Sequence, residues 1–174
     1  MFSKIICLIS LFFLCFLSCR QPEAEVINED GSFEVFVEHV AGDDYVYELG
    51  DQELSYMNYP FHMGYVRGYR SDTVKCIIIS KAVSSRSRIK AKPIGLLSTI
   101  EQGTRNSYII AVPNDIKNRS LDMENFSDLI SKYSSVKNII EFWLLNRCGF
   151  GCIKSEGWGN ESAAEFVLEK LKEI

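Results

Sequence analysis

Two cysteines separated by a glycine-rich spacer, Cys148-Gly-Phe-Gly-Cys152, have the types and spacing to form a covalent or metal-bound site. The flexible spacer allows the two thiols to close a small local disulfide or to remain free. A metal site is disfavoured, because neither a His nor a further Cys lies near the pair in the sequence. Cys76 stands within an apolar run and is predicted to be a buried thiol. A disulfide and two free thiols therefore remain the alternatives for Cys148 and Cys152.

Other common catalytic and binding patterns are absent from the sequence. The two histidines, His39 and His62, lie far apart, with no Cys or acid at metal-ligand spacing. No G-x-S-x-G, P-loop or H-E-x-x-H pattern occurs. The 19 basic and 23 acidic residues give a formal net charge of −4, and no run of Lys and Arg is present. Nucleic acid is therefore not an expected partner.

The beginning of the chain has the features of an export signal. Met1-Phe-Ser-Lys4 is short and positively charged, and an apolar run follows from Ile5 to Leu17. That run is shorter than the roughly 20 residues that a membrane-spanning helix requires. It ends at the small residue Ser18, followed by Cys19. This pattern resembles the lipobox of bacterial lipoproteins, in which the Cys carries a lipid after cleavage.

The lipobox resemblance implies a signal peptide over residues 1–18 and lipidation of Cys19. Residues 19–31 are polar and acidic after the Cys and are expected to form a flexible tether. The expected location is the cell envelope, on its periplasmic or outer-membrane face, with the lipid anchor making the membrane a partner. An uncleaved anchor and an ordinary secreted protein are the alternatives.

The remaining residues, 32–174, predict a region of strands followed by a region of helices. Apolar alternation or continuous apolar runs indicate strands over 32–40, 45–49, 63–69, 74–80, 88–97 and 107–112, with a further short piece around Tyr56. Helical spacing indicates helices over 121–133 and 136–145 and a last helix with Asn160 or Ser162 as its N-cap. The last helix is expected to bury Ala164, Val167, Leu168 and Leu171. This order favours an α+β fold, with a small barrel or curled sheet and helices packed outside it.

Four stretches, taken in order and spacing, carry a resemblance to a known family. They are Tyr59-Pro-x-x-Met-Gly-Tyr-Val66, Arg88-Ile-Lys-Ala-Lys-Pro-Ile-Gly-Leu-Leu97, Ile109-Ile-Ala-Val-Pro-Asn-Asp115 and Lys154-Ser-Glu-Gly-Trp-Gly-Asn160. Together they resemble family I (soluble) inorganic pyrophosphatases over residues 32–174. The resemblance implies an OB-like five-stranded β-barrel with flanking α-helices and a pocket at one barrel end. It also implies hydrolysis of pyrophosphate to two phosphates with Mg²⁺ as the cofactor.

The sequence departs from the family where the resemblance implies a metal site. Arg70-Ser-Asp-Thr-Val-Lys75 stands where the family has D-G-D-P-x-D, so that only Asp72 keeps its carboxylate. Glu101 and Asn106 stand where the family has two further acids, and Glu38 matches an early acid. The resemblance thus implies Asp72, Glu101, Asn106 and Glu38 as the metal ligands. Asp72 and Glu101 are the expected catalytic residues if hydrolysis is retained.

Cations occupy several of the replaced positions. Arg70 and Lys75 replace the two outer acids, and Arg147 is the cation that remains where the family grips phosphate. With Tyr65, these three residues could form a metal-free site for phosphate or pyrophosphate. The alternative is that Arg70 and Lys75 are solvated surface charges beside a vestigial pocket.

The sequence therefore predicts an exported lipoprotein of the pyrophosphatase family with weak or no catalysis and a binding or structural role. An active Mg²⁺-dependent diphosphatase is the alternative prediction.

Overall fold

The computed structural model describes residues 26–49, 52–68, 73–149 and 151–173. Its strands are β1 Phe33–His39, β2 Asp44–Leu49, β3 Gln52–Asn58, β4 His62–Arg67, β5 Thr73–Ile78, β6 Arg88–Glu101, β7 Thr104–Pro113 and β8 Ile153–Gly159. Its α-helices are α1 Phe126–Ser131, α2 Ser134–Asn146 and α3 Glu161–Glu173, and a 3₁₀ turn covers Ile116–Asn118. Within these ranges, no helix is both long and apolar enough to cross a membrane.

Five of the strands close into a barrel. The main sheet has the order β1-β4-β5-β7-β6-β8, and β1 also pairs with the beginning of β6. The β5–β7 pair is parallel and the other pairs of the barrel are antiparallel. β8 extends the sheet from β6, while β2 and β3 form a separate two-stranded sheet. The predicted fold class, α+β with an OB-like five-stranded barrel and flanking helices, is confirmed.

The continuous apolar runs of β5 and β7 are explained by burial on both faces. On β7, Tyr108, Ile110 and Val112 belong to a core cluster shared with Leu129 of α1 and Ile140 of α2. The alternate residues of β7, Ile109 and Ala111, belong to a second cluster that includes residues of every barrel strand and of α3. Because both faces are covered over residues 76–78 of β5 and 108–113 of β7, these parts of the strands show no polar alternation.

The region predicted as one helix over 121–133 is helical only from Phe126 to Ser131, so this prediction was too long. Polar contacts hold the preceding residues outside the helix. Asn125 is the N-cap, and its side chain accepts a hydrogen bond from the Asp128 amide at 3.0 Å. The buried guanidinium of Arg119 donates to the Met123 carbonyl oxygen at 3.2 Å. These contacts use backbone groups that a longer helix would need for itself.

β8 is a strand that the sequence analysis did not predict. It pairs with the second half of β6, where Glu101 lies opposite Ile153 and Leu97 opposite Trp158. Ile153 is its only buried residue, so the segment shows neither alternation nor an apolar run. β6 in turn extends to Glu101, beyond the predicted end at Leu97.

The last helix, α3, has Asn160 as its N-cap, which is one of the two predicted alternatives. The side chain of Asn160 accepts a hydrogen bond from the Ala163 amide at 3.3 Å. Ala164, Leu168 and Leu171 are buried against the barrel cluster, and Val167 packs against it in part. The predicted apolar stripe of this helix is confirmed.

We expect Asn160→Ala to lower the free energy of unfolding by about 1 kcal/mol, because the substitution leaves an amide of the first turn without its acceptor. Ser162→Ala, at the exposed second position of the same helix, is the matched control and should change stability by less than about 0.5 kcal/mol. Urea denaturation followed by circular dichroism measures both. An equal loss in the two variants would contradict the assignment of the cap.

Candidate functional site

A cavity of about 520 Å³ lies beside the ends of β1, β4, β5 and β6 and the C-terminus of α2. The sequence-predicted residues that line it are Glu38, Tyr65, Lys75, Glu101 and Arg147. Further lining residues, which sequence reasoning did not assign to the site, include His39, Tyr45, Tyr59, Arg67 and Thr73. The fold therefore brings five of the predicted residues, distant in sequence, into one pocket.

Arg147 is the most enclosed charge of the pocket. It follows α2 directly as the C-cap residue, where a cation is favoured by the partial negative charge of the helix end. Its side chain is only 5% exposed. Its Nη2 atom donates to the Tyr108 hydroxyl at 2.6 Å and to Glu101 Oε2 at 3.0 Å. The buried Nε has no hydrogen-bond partner among the described residues.

Aromatic rings surround the Arg147 guanidinium. Its central carbon lies 5.3 Å from the ring centre of Tyr108, 5.7 Å from that of Tyr45 and 5.9 Å from that of Trp143. Burial opposes the charged form, yet Tyr108, Tyr45 and Glu101 together hold the pKa of Arg147 above its usual value. The side chain is therefore a fixed cation in an aromatic setting.

Lys75 reaches the same group of residues from β5. In the parallel β5–β7 pair it lies opposite Tyr108, and its Nζ donates to the Tyr108 hydroxyl at 3.5 Å. The Tyr108 hydroxyl thus lies between two cations, Lys75 and Arg147. Because Lys75 occupies the same face of β5 as Ile77, strand alternation directs its ammonium group toward the pocket.

Another part of the pocket lining comes from β1 and the loop before β4. The His39 ring stacks on the Tyr59 ring with centres 4.6 Å apart, and His39 Nε2 lies 4.0 Å from Glu38 Oε2. Burial and the neighbouring Tyr45 raise the pKa of Tyr59 to about 12, so this phenol remains a neutral hydrogen-bond donor. Tyr59 belongs to the Tyr-Pro motif, which was the available sequence signal for its role.

Gly64 lets β1 and β4 approach closely at the wall of the pocket. A Cβ atom at this position would overlap the carbonyl oxygen of Phe36. Gly64 is itself a lining residue, so the close strand contact also shapes the cavity.

Of the remaining predicted residues, Asn106 lies outside the cavity lining, and the others fall outside the described residues. Asn106 lies on β7 opposite Thr99, and its amide nitrogen donates to the Thr104 carbonyl oxygen at 3.4 Å, outside the cavity lining. Asp72 and Arg70 lie outside the described residues, as does Cys19. Asp72 immediately precedes Thr73, which does line the cavity.

The donors that the described residues bring to the pocket do not fit a cluster of magnesium ions. Mg²⁺ is bound chiefly through carboxylates, water and substrate phosphate. Glu101 is already engaged by Arg147, and Glu38 lies beside His39. In the part of the chain that the structure describes, no three His, Cys, Asp or Glu residues converge as metal ligands. The described residues instead place three cations, Arg67, Lys75 and Arg147, against two acids.

Of the two alternatives for the paired cysteines, the structure has the disulfide. Cys148 and Cys152 are bonded, with their Cα atoms 6.1 Å apart. The bond closes the loop that begins immediately after Arg147 and leads into β8. Cys76 is fully buried, as predicted.

We expect Glu101→Ala to lower the free energy of unfolding by about 2–3 kcal/mol, because it leaves the buried Arg147 cation without its carboxylate. The matched control is Glu156→Ala, which removes a carboxylate from an ion pair whose Arg105 side chain is 77% exposed. That change should cost less than about 1 kcal/mol. Chemical denaturation of both variants tests the difference, and similar losses would contradict a buried role for the Arg147–Glu101 pair.

Comparison with known proteins connects this fold and pocket to one family. An inorganic pyrophosphatase of Pseudomonas syringae pv. tomato is 28% identical, over 67% of this chain and 70% of that protein. A solved pyrophosphatase from Helicobacter pylori superposes with a TM-score of 0.63 at 22% identity, covering 86% of this chain and 96% of that chain. One from Neisseria gonorrhoeae gives 0.66 at 19% identity, covering 89% and 96%. The sequence model described as "Pyrophosphatase: Inorganic pyrophosphatase" matches residues 37–173, and the chain therefore belongs to the inorganic pyrophosphatase family.

Proposed function

We propose that this protein binds pyrophosphate or phosphate in the described pocket without the metal-assisted hydrolysis typical of its family. The observation that carries the proposal is the convergence of three cations, Arg67, Lys75 and Arg147, on one pocket against two acids, Glu38 and Glu101. Cationic side chains and the phenol groups of the lining are chemically suited to the oxygens of a phosphoryl group. In this interpretation side-chain cations neutralise the anion where its relatives use metal ions.

The charges around the pocket support this proposal. Arg147 offsets Glu101 through their hydrogen bond, which leaves Arg67 and Lys75 facing the cavity against Glu38. Water screens the charge of Glu38, whose side chain is 58% exposed, as it screens those of the exposed Arg67 and Lys75, so the two cations still outnumber the one acid. An anion entering the cavity therefore meets an excess of positive charge. The same excess of positive charge repels a divalent cation.

The first test is hydrolysis. The full chain, purified in mild detergent, is incubated with pyrophosphate and millimolar Mg²⁺, and phosphate release is measured. We expect no release above that of Glu101→Ala, after thermal melting has shown that the variant is folded at the assay temperature. Mg²⁺-dependent release above the variant would favour the alternative, an active diphosphatase in which Asp72 beside Thr73 supplies a metal ligand.

The second test is binding of pyrophosphate in EDTA, measured by isothermal titration calorimetry. We expect binding by the wild type and a roughly tenfold weaker affinity in Lys75→Gln, because one charge-assisted hydrogen bond is lost. Lys154→Gln removes an exposed lysine of β8 that does not line the cavity and should leave the affinity unchanged. Failure of the wild type to bind, or equal loss in both variants, would contradict the proposal.

We also propose that the protein is exported and held at the cell envelope by a lipid on Cys19. The basis is the short apolar run that ends in Ser18-Cys19. Cys19→Ser should prevent lipid attachment and shift the protein from the membrane fraction, as measured by fatty-acid labelling and fractionation of expressing bacteria. Cys76→Ala, which changes a buried thiol, is the control and should leave labelling intact. Continued labelling of Cys19→Ser would disprove lipidation at this residue.

A further inference from the structure

A second cavity, of about 630 Å³, adjoins the anion pocket along β4. The two cavities share Tyr65 and Arg67 as lining residues. The second cavity continues across β1 to the beginning of β6, where Phe36, Arg88 and Lys90 line it. The available space is therefore much larger than one phosphoanhydride group requires.

Strand register places one row of side chains across both cavities. Phe36 of β1 lies opposite Arg88 of β6 on one side and opposite Tyr65 of β4 on the other. Tyr65 in turn lies opposite Lys75 of β5. Residues directly opposite in a sheet project from the same face, so these four side chains form a continuous row. At about 4.8 Å per strand, the row spans roughly 14 Å.

The chemistry of the row changes along its length. Lys75 marks the anion pocket, and the middle is aromatic, with the Phe36 and Tyr65 ring centres 5.2 Å apart. The guanidinium of Arg67 lies 6.0 Å from the Tyr65 ring centre. At the far end, Arg88 donates to Glu34 at 2.8 Å, so part of its charge is already balanced. The middle of the row thus offers a surface for a planar apolar group beside the anion pocket, while Arg88 and Lys90 line its far end.

We propose that the site takes a nucleoside polyphosphate, with phosphoryl groups between Lys75 and Arg67 and the base against Phe36 and Tyr65. This inference rests on the proposed anion-binding function and names the class of ligand. Bases stack on aromatic side chains, so the aromatic surface should raise the affinity measurably. Neither half of the row offers both interactions by itself.

The experiment compares four probes by isothermal titration calorimetry on the full chain in detergent and EDTA. The probes are ADP, pyrophosphate, tripolyphosphate and adenosine. We expect ADP to bind about tenfold more tightly than pyrophosphate, tripolyphosphate to bind no more tightly than ADP, and adenosine to bind weakly. Pyrophosphate binding with no preference for ADP would overturn this inference alone. Absence of binding by both would overturn the anion-binding function as well.

Variants of Phe36 test the aromatic half separately. Phe36→Leu keeps an apolar side chain but removes the ring face, so ADP affinity should fall by about tenfold while pyrophosphate affinity changes less than twofold. Phe36→Tyr keeps an aromatic ring at this position and should bind ADP about as tightly as the wild type. A merely structural role for Phe36 would not predict this difference between the two variants. Phe166→Leu, a 56% exposed aromatic residue on α3, is the matched control and should have no effect. An equal fall for both ligands in Phe36→Leu, in a protein with unchanged thermal melting, would reject the placement of the base.

Discussion

The buried guanidinium of Arg147 donates at once to Tyr108 of β7 and to Glu101 at the end of β6, while it lies against Trp143 of its own helix. A charge taken so far out of water is tolerated only where other charges and hydrogen-bonding groups compensate it. Its neighbours are therefore constrained. β6 must extend to Glu101, the Tyr108 hydroxyl must face the guanidinium, and α2 must end at the pocket. The position of the site follows from these three requirements.

This constraint changes what the inherited pocket can do. In a metal-dependent site the acids remain available to ligands, but here Glu101 accepts a hydrogen bond from Arg147. Lys75 adds a second cation at the Tyr108 hydroxyl. Under the proposed function, the electrostatic preference of the pocket moves from metal cations toward anions, and two or three side chains account for that change.

Much of the fold could be predicted from the sequence because its strongest signals are hydrophobic. The apolar runs of β5 and β7 and the apolar stripe of α3 are consequences of burial. Burial can be predicted directly from residue type. β8 escaped prediction because it is held by backbone pairing with β6 and buries only Ile153. The start of α1 was misplaced because Asn125 and Arg119 decide it through polar contacts rather than periodicity.

The candidate site was predictable only where a family motif marked it. Lys75, Glu101 and Arg147 were found through such motifs, and the structure brings them together. Arg67 and Tyr45 do not belong to a motif. The place of Arg67 depends on the register of β4, and that of Tyr45 on the packing of β2 against α2. Asn106 stood at a motif position, but its side chain turns to the backbone of its own hairpin. Tertiary geometry decides these cases, and local sequence does not contain it.

Closure of the barrel by β1 has a mechanical consequence. β1 is the first strand after the N-terminal segment, and it is hydrogen-bonded to β4 on one side and β6 on the other. A pulling force applied at the N-terminus would reach this strand before any other strand of the barrel. Its extraction would break two ladders and remove Phe33, Val35 and Val37 from the core together. The strand that seals the barrel is thus also the first strand of the barrel to bear such a load.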